Sequence, residues 1–245
     1  MNLKNLSKRS SEIELMDLEP VTFSEFNQCL RHLEWINIFT LAYLPTYFWL
    51  KKTIAQNLHK KEISIFDIGS GGGDMLRKIW KWTSKSKAKF SLTGIDINPW
   101  SKETAEKITP KNAPIKFETA DIFDLGANRK PDFIISSLFT HHLDDDSLIK
   151  FIRWMDNQGA SGWFINDLHR HFIPYFFIKW ITYILPLNRL VKNDAAVSVA
   201  RAFTRKDLWR LIDAAQIARD RVEIKWFFPF RYSVTCKKYP YVPLT

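Results

Sequence analysis

The chain has 245 residues, 46% of them hydrophobic, with 36 Lys and Arg against 26 Asp and Glu and a net charge of +10. That composition fits one α/β domain with an appendage and a large core, and excludes a disordered chain. Two cysteines, Cys29 and Cys236, cannot form a disulfide framework and show no metal-ligand spacing, so they read as reduced thiols in a cytoplasmic protein with no metal site.

Along the chain, residues 1–20 are polar and lack the apolar run of a secretory signal. Thr22-Phe23-Ser24-Glu25 is a capping box, which predicts a helix with Phe26, Leu30 and Leu33 on one face. A second apolar segment runs from Ile36 to Leu58 and is broken near Pro45. Glu34, Asn37 and Pro45 also interrupt the nearest approach to a membrane span. The residues up to about 60 therefore read as a helical lid segment ahead of the main domain at 61–245.

From Ile63 the pattern becomes that of buried strands alternating with helices. Strands are predicted at ISIFDIG (63–69), FSLTGID (90–96), IKFETAD (115–121), DFIISSL (132–138) and SGWFIND (161–167). Helices are predicted from Asp74, from about Pro99 to Ile108 and from Asp145 to Met155. This alternation implies parallel βαβ units and a Rossmann-like α/β sheet. The aromatic stretch Phe172–Leu187 is too short to span a membrane and reads as a helical insertion after the fifth strand, at about 170–200. Thr204-Arg205-Lys206-Asp207 is a second capping box. The strands VEIKWFF and FRYSVTC then close the chain around Pro229, a connection short enough to force an antiparallel pair. The whole is a seven-stranded sheet with its last strand antiparallel.

Four of the chain's 8 glycines lie at 69, 71, 72 and 73, directly after the first sheet strand. In open α/β sheets ligands bind beyond the carboxyl ends of the strands, and glycine there allows close backbone approach. A dinucleotide fingerprint starting at Gly69 needs glycine at 74, which is Asp; no Gly-Lys-Ser/Thr follows to make a P-loop. The pattern that fits is Asp67-x-Gly69-x-Gly71-x-Gly73. Asp96, ending the second strand, stands where an acid binds ribose hydroxyls in nucleotide-binding sheets. Asp121, after the third strand, could accept from an exocyclic adenine amine, with Ile97 and Ile122 offering apolar faces to the ring. A strand-end Asp is also a common helix cap.

These motifs together resemble the class I S-adenosylmethionine-dependent methyltransferases. FDIGSGGGD resembles that superfamily's first motif, GIDINP its ribose motif and TADIFDL its adenine motif. PDFIISSLFTHHLDDDSL is similar to the segment after strand four in ubiquinone/menaquinone-type enzymes. RSSEIELMD, INDLHRH and NRLVKNDAAVSVARAFTRKDL resemble a subgroup acting on phenolic and lipidic small molecules. The resemblance implies that Asp67, Gly69, Gly71 and Gly73 hold the methionine end of S-adenosylmethionine, Asp96 the ribose, and Asp121 with Ile122 the adenine. It places Ser136 or Ser137 beside the sulfonium.

Methyl transfer to a phenol needs a base of near-neutral pKa. His141, His142, His169 and His171 follow strands four and five, so His142, His169 or His141 is expected to act as base or to orient the acceptor; packing and capping are the alternative roles. Asn166 and Asp167 are placed to orient substrate, and the insertion, with Phe172 and Tyr175, to wall a pocket for a hydrophobic acceptor. The expected function is methyl transfer to a small phenolic, quinone-like or lipidic molecule, chiefly at oxygen. The alternatives are a nucleic-acid methyltransferase, which the segment SSLFTHH disfavours, and a catalytically silent cofactor-binding or membrane-surface protein. Aromatic segments with net positive charge also suit a peripheral contact with an anionic membrane.

Overall fold

Strand formation follows the apolar runs. In the computed structural model, which describes residues 6–18, 21–57, 60–125 and 129–238, the strands are β1 (Glu62–Ile68), β2 (Lys89–Asp96), β3 (Ile115–Thr119), β4 (Phe133–Ser137), β5 (Gly162–Leu168), β6 (Val222–Phe227) and β7 (Arg231–Lys237). They form one sheet in the order β3-β2-β1-β4-β5-β7-β6. The first five are parallel, and β7 runs antiparallel between β5 and β6. Residues 1–5 and 19–20 of the polar N-terminal stretch, and Leu58 at the end of the second apolar segment, lie outside the described residues.

Both faces of the sheet are covered, as a parallel sheet requires. One face packs Ile63, Ile65, Leu92, Ile135 and Phe164 against Met75, Leu76 and Ile79 of α4 (Asp74–Thr83). The other packs Ile68, Ile95, Ile134 and Ile165 against Leu148, Phe151 and Met155 of a later helix, Asp145–Gln158. That helix runs three residues past the predicted end at Met155. Phe66 joins the second layer and is 9% exposed.

Ahead of the sheet lie α1 (Leu15–Leu18), α2 (Phe23–Phe39) and α3 (Leu44–Gln56). The Thr22–Glu25 capping box forms as the sequence predicts. Pro45 falls in the first turn of α3, where its missing N–H costs nothing, so it restarts the helix after the turn at Leu41–Tyr43. Between β2 and β3 runs α5 (Pro99–Ile108); α6 is the helix Asp145–Gln158. The insertion after β5 is α7 (Phe172–Ile184) and α8 (Arg189–Arg201), and α9 (Arg205–Ala214) starts at the Thr204–Asp207 box.

The two added layers meet over the carboxyl ends of the strands. Tyr43 Oη donates to Asp74 at 2.5 Å and Arg77 pairs with Glu34 at 2.8 Å, which ties α2 and the α2–α3 turn to α4. Cys29 of α2 packs with Leu190 and Val191 of α8. Arg201, 8% exposed at the end of α8, donates from Nε to the His141 carbonyl at 2.9 Å and from Nη1 to that of Glu12 at 2.7 Å. Asp194 accepts from the backbone N–H groups of Leu15 and Met16 at 2.8 and 3.1 Å. No helix among the described residues is long and apolar enough to cross a membrane.

Candidate active site

The chain leaves β1 through a loop with φ of +69° at Gly69, +47° at Gly71 and +74° at Gly73, whereas Gly72 keeps a negative φ. A Cβ at Gly69 would lie 2.4 Å from the Phe139 ring, so that position is closed by packing as well as by conformation. At Gly71 the nearest atom to a Cβ would be 3.6 Å away, so conformation alone demands glycine there. The Gly71 N–H donates to Asp96 Oδ2 at 2.8 Å, and Asp96 Oδ1 accepts from the Asn98 N–H at 2.9 Å. Asp96 thus joins the loop after β1 to the loop after β2.

Asp67, 2% exposed, has no hydrogen-bond partner for Oδ1 among the described residues. Burial pushes its carboxyl well above the usual carboxylate range, and the charges of Asp74 and Asp96 push it further. Burial also raises Asp96, against the N–H groups of Asn98 and Gly71. Asp67, Asp74 and Asp96 all line one cavity of about 680 Å³. An orphaned buried carboxyl beside two more acids favours a positively charged ligand.

The same cavity is bounded on another side by His141 and His142, from the short 3-10 turn after β4. His141 Nδ1 lies 2.7 Å from Asp167 Oδ1, while Thr140 Oγ1 and the His141 N–H donate to Oδ2 at 2.5 and 3.1 Å. Burial alone would raise Asp167; the His141 ring, the Thr140 hydroxyl and the Leu168 N–H outweigh it and hold the carboxyl at about 2. His142 Nδ1 lies 3.2 Å from Asp17 Oδ2. Burial lowers the His142 pKa, but the Asp17 hydrogen bond and the charges of Glu14, Asp17 and Asp167 prevail and raise it. Glu14, 3% exposed, lies 3.8 Å from both Nε2 atoms, through a different oxygen to each. Glu14, His141 and His142 are the set among the described residues whose donor atoms could hold a metal ion, lying within 4.8 Å of one another.

Of the residues singled out in the sequence, Asp67, Gly69, Gly71, Asp96, Ile97, Ser137, His141 and His142 line this cavity. Gly73 stands behind it as the N-cap of α4. Asp121 and Ile122 lie outside its wall: Asp121 Oδ1 accepts from the Phe123 N–H at 2.9 Å, capping a 3-10 turn, and Ile122 packs into the core. Ser136 Oγ is buried and donates to the Ile68 carbonyl at 3.0 Å. Asn166 is buried and gives its Nδ2 to the Ala42 carbonyl at 2.8 Å, holding the α2–α3 turn. His169 packs against Tyr232 and Phe230 outside the cavity and accepts from Trp226 Nε1 at 3.2 Å. Burial, with His171 and Arg170 nearby, lowers its pKa to about 4. Phe172 is exposed, and Tyr175 is buried between α7 and α8.

The sequence reading passed over Glu14, Asp17, Tyr43, Asp74 and Arg231. Glu14 and Asp17 do fall within RSSEIELMD, one of the segments noted for its resemblance. Tyr43 and Arg231 carry no local signal, because only the docking of distant segments turns them inward.

Comparison with known proteins agrees with this geometry. Residues 65–158 match the family model described as a methyltransferase domain. Human N-acetylserotonin methyltransferase, solved with S-adenosylmethionine, superposes with a TM-score of 0.60 at 13% identity, over 89% of this chain and 56% of that one. This chain therefore spans little more than half of that enzyme. The Synechocystis magnesium protoporphyrin IX methyltransferase, with S-adenosylhomocysteine, gives 0.52 at 15% identity over 90% of both chains. A plantazolicin methyltransferase, also with S-adenosylhomocysteine, gives 0.56 at 17% identity over 89% of this chain and 85% of that one. No curated protein matches by sequence. The fold is that of the class I S-adenosylmethionine-dependent methyltransferases. Within that fold, residues 65–158 carry the methyltransferase-domain match, and the neighbours named here were solved with S-adenosylmethionine or S-adenosylhomocysteine. None of these matches singles out the ubiquinone/menaquinone type.

The acidic glycine loop suits S-adenosylmethionine, which is cationic at both its ammonium and its sulfonium. Replacing Gly71 with Val is expected to abolish S-adenosylmethionine binding in a calorimetric titration, because a branched side chain at φ +47° must rebuild the loop. Gly72→Ala is expected to bind within about twofold of the parent, since a Cβ there meets nothing nearer than 3.8 Å. Equal losses would contradict this register of the loop.

Proposed function

We propose that the protein transfers a methyl group from S-adenosylmethionine to a small hydrophobic acceptor, chiefly to an oxygen of a phenolic, quinone-like or lipidic molecule. One observation carries the reading: the acidic glycine loop and the His141–His142 pair share a single cavity, whose remaining wall is largely apolar. The cofactor supplies an electrophilic methyl group on a good leaving group, so positioning does much of the work.

In this reading His142 takes the acceptor's proton at Nε2, with Asp17 holding Nδ1 and Glu14 stabilising the imidazolium that forms. His141, fixed by Asp167, orients the acceptor beside it. Residues before about 60 and the insertion act as the cover. Leu33, Ile36 and Phe39 of α2 and Ile173, Phe177 and Ile178 of α7 keep water from the reacting atoms. A nucleic-acid acceptor is disfavoured by those apolar walls.

A calorimetric titration with S-adenosylmethionine comes first; absence of binding would end this reading. Exchanging His142 for Gln is expected to slow methyl transfer by about 10² or more without weakening cofactor binding. The base must be neutral, so activity falls as pH drops through the His142 pKa. Its acid limb is expected above the ordinary histidine value of about 6.5, and Asp17→Asn should move it to lower pH. A limb that Asp17→Asn leaves in place would assign the proton elsewhere. A chelator is expected to leave turnover unchanged; a loss restored by a divalent ion would give Glu14, His141 and His142 to a metal.

Exposed aromatic side chains on α2, α7 and the β6–β7 turn support a second partner. Trp35, Phe39, Phe172, Trp180, Tyr183 and Phe228 are all exposed, Tyr183 to 83%. Ring contacts join the segments: Phe48 stacks on Phe227, and His171 on Phe230. The segments 35–52 and 171–187 contain no Asp or Glu and hold the exposed lysines Lys51, Lys52 and Lys179, while Lys225 pairs with the exposed Glu223 at 2.9 Å. Exposed aromatic side chains with an excess of basic charge suit the surface of an anionic bilayer. The protein is expected to float with phosphatidylglycerol vesicles and not with phosphatidylcholine alone. Combining Trp35→Glu with Trp180→Glu should weaken that binding by about tenfold or more. Lys85→Glu with Lys87→Glu, at the opposite end of the strands, should not. Equal losses, or no flotation, would contradict the contact.

A further inference from the structure

Arg231 opens β7 opposite Leu168, the last residue of β5, and so stands at the end of the sheet where the cavity lies. It is 4% exposed. Its Nη2 donates to Thr40 Oγ1 at 2.8 Å, but Nε and Nη1 are buried with no hydrogen-bond partner among the described residues. The charge of Asp167 acts on the guanidinium, but no ion pair within 4 Å joins them among the described residues. The oxygens of Asp167 are already taken by Thr140, His141 and Leu168. Burial pulls the Arg231 pKa down to about 10. A guanidinium rarely stays this deeply buried without an anion. Phe39, Leu41, Pro229 and Phe230, close in sequence to Thr40 and Arg231, line the same cavity and carry no charge, and none of the acids lining it pairs with Arg231 within 4 Å among the described residues.

We infer that Arg231 receives an anionic group of the ligand in this cavity, a carboxylate or phenolate on an otherwise apolar molecule. Identifying that ligand as the methyl acceptor rests on the function proposed above. The cofactor's own carboxylate is a poor fit to Arg231. It is bonded to the same carbon as the ammonium, which the acids at the glycine loop would hold. Between β1 and β7 stand β4 and β5, three strand spacings in all, or about 14 Å. The cavity is therefore laid out for an amphipathic acceptor, with its anionic group at Arg231 and its apolar part toward the rim.

The test compares two probes of equal chain length, dodecanoate and dodecanol, titrated into the full chain with S-adenosylhomocysteine bound. Dodecanoate is expected to bind the parent protein about tenfold tighter or more. Arg231→Met should erase that preference and Arg231→Lys keep part of it, with affinity for S-adenosylhomocysteine unchanged in both. Removing an unpaired buried charge should also raise the melting temperature of the Arg231→Met protein, whereas a purely structural arginine would lower it. Equal binding of the two probes by the parent protein would overturn the inference, as would a preference that survives in Arg231→Met. A selective fall in S-adenosylhomocysteine affinity in that variant would overturn it too, assigning Arg231 to the cofactor. If Arg231→Met does not fold, the contrast between probes in the parent protein decides alone. Failure of the parent protein to bind S-adenosylhomocysteine is a separate outcome, which contradicts the proposed function before any probe is added.

Discussion

Burial with an oxygen left unpartnered raises the free energy of a carboxyl group's charged form, and the strand that carries Asp67 places it there, its Oδ1 without a hydrogen-bond partner among the described residues. β1 is central in the sheet, flanked by β2 and β4, so the end of β1 has little freedom to move. The loop that follows is held by Asp96 from β2 and leads into α4 at Asp74. Tyr43 and Asn37 reach that same Asp74 from the layer above. α2 and the α2–α3 turn therefore dock on the loop through one of the acids that perturbs Asp67. The loop, these helices and the cavity wall share these contacts.

Charge is laid out along the cavity in a definite order. Acids gather at the glycine loop, a pair of histidines held by carboxylates stands after β4, and at the start of β7 lies an arginine without an ion-pair partner among the described residues. Apolar residues of α2 and α7 line the space between them, and the same two helices carry exposed aromatic side chains. Asp67, Asp96, the histidine pair and Arg231 come from the ends of β1, β2, β4 and β7, Asp74 from α4 and Glu14 and Asp17 from the N-terminal segment, while much of the apolar wall comes from α2 and α7. The sheet thus sets the chemistry, and the additions set what can enter and how much water remains.

The sheet and its glycine loop were legible because their signals are local. Apolar runs of strand length, two capping boxes and the spacing Asp67-x-Gly69-x-Gly71-x-Gly73 need no knowledge of tertiary contacts. Side-chain destinations were less so. Asn166 and Asp167 are adjacent at the end of β5, yet one holds the α2–α3 turn at Ala42 and the other fixes His141. Asp121 reads equally well as a ligand and as a cap, and in the structure its carboxylate accepts from the Phe123 N–H. His169 follows β5 as expected, but the aromatic residues of β7 and the β6–β7 turn take its ring out of the cavity. Arg231 was hidden because an arginine in an alternating strand ordinarily points to water, and only closure of α2 over the strand buries it.

The central claim is that Asp67 waits for a cation, and proton linkage measures this most directly. Calorimetric titration of S-adenosylmethionine across pH and in buffers of differing ionisation enthalpy reports protons released on binding. The raised Asp67 pKa must fall when positive charge arrives, so binding should release protons and tighten as pH rises. Asp67→Asn should remove the proton release and weaken binding. Binding that is independent of pH, with an affinity that Asp67→Asn leaves unchanged, would contradict the account.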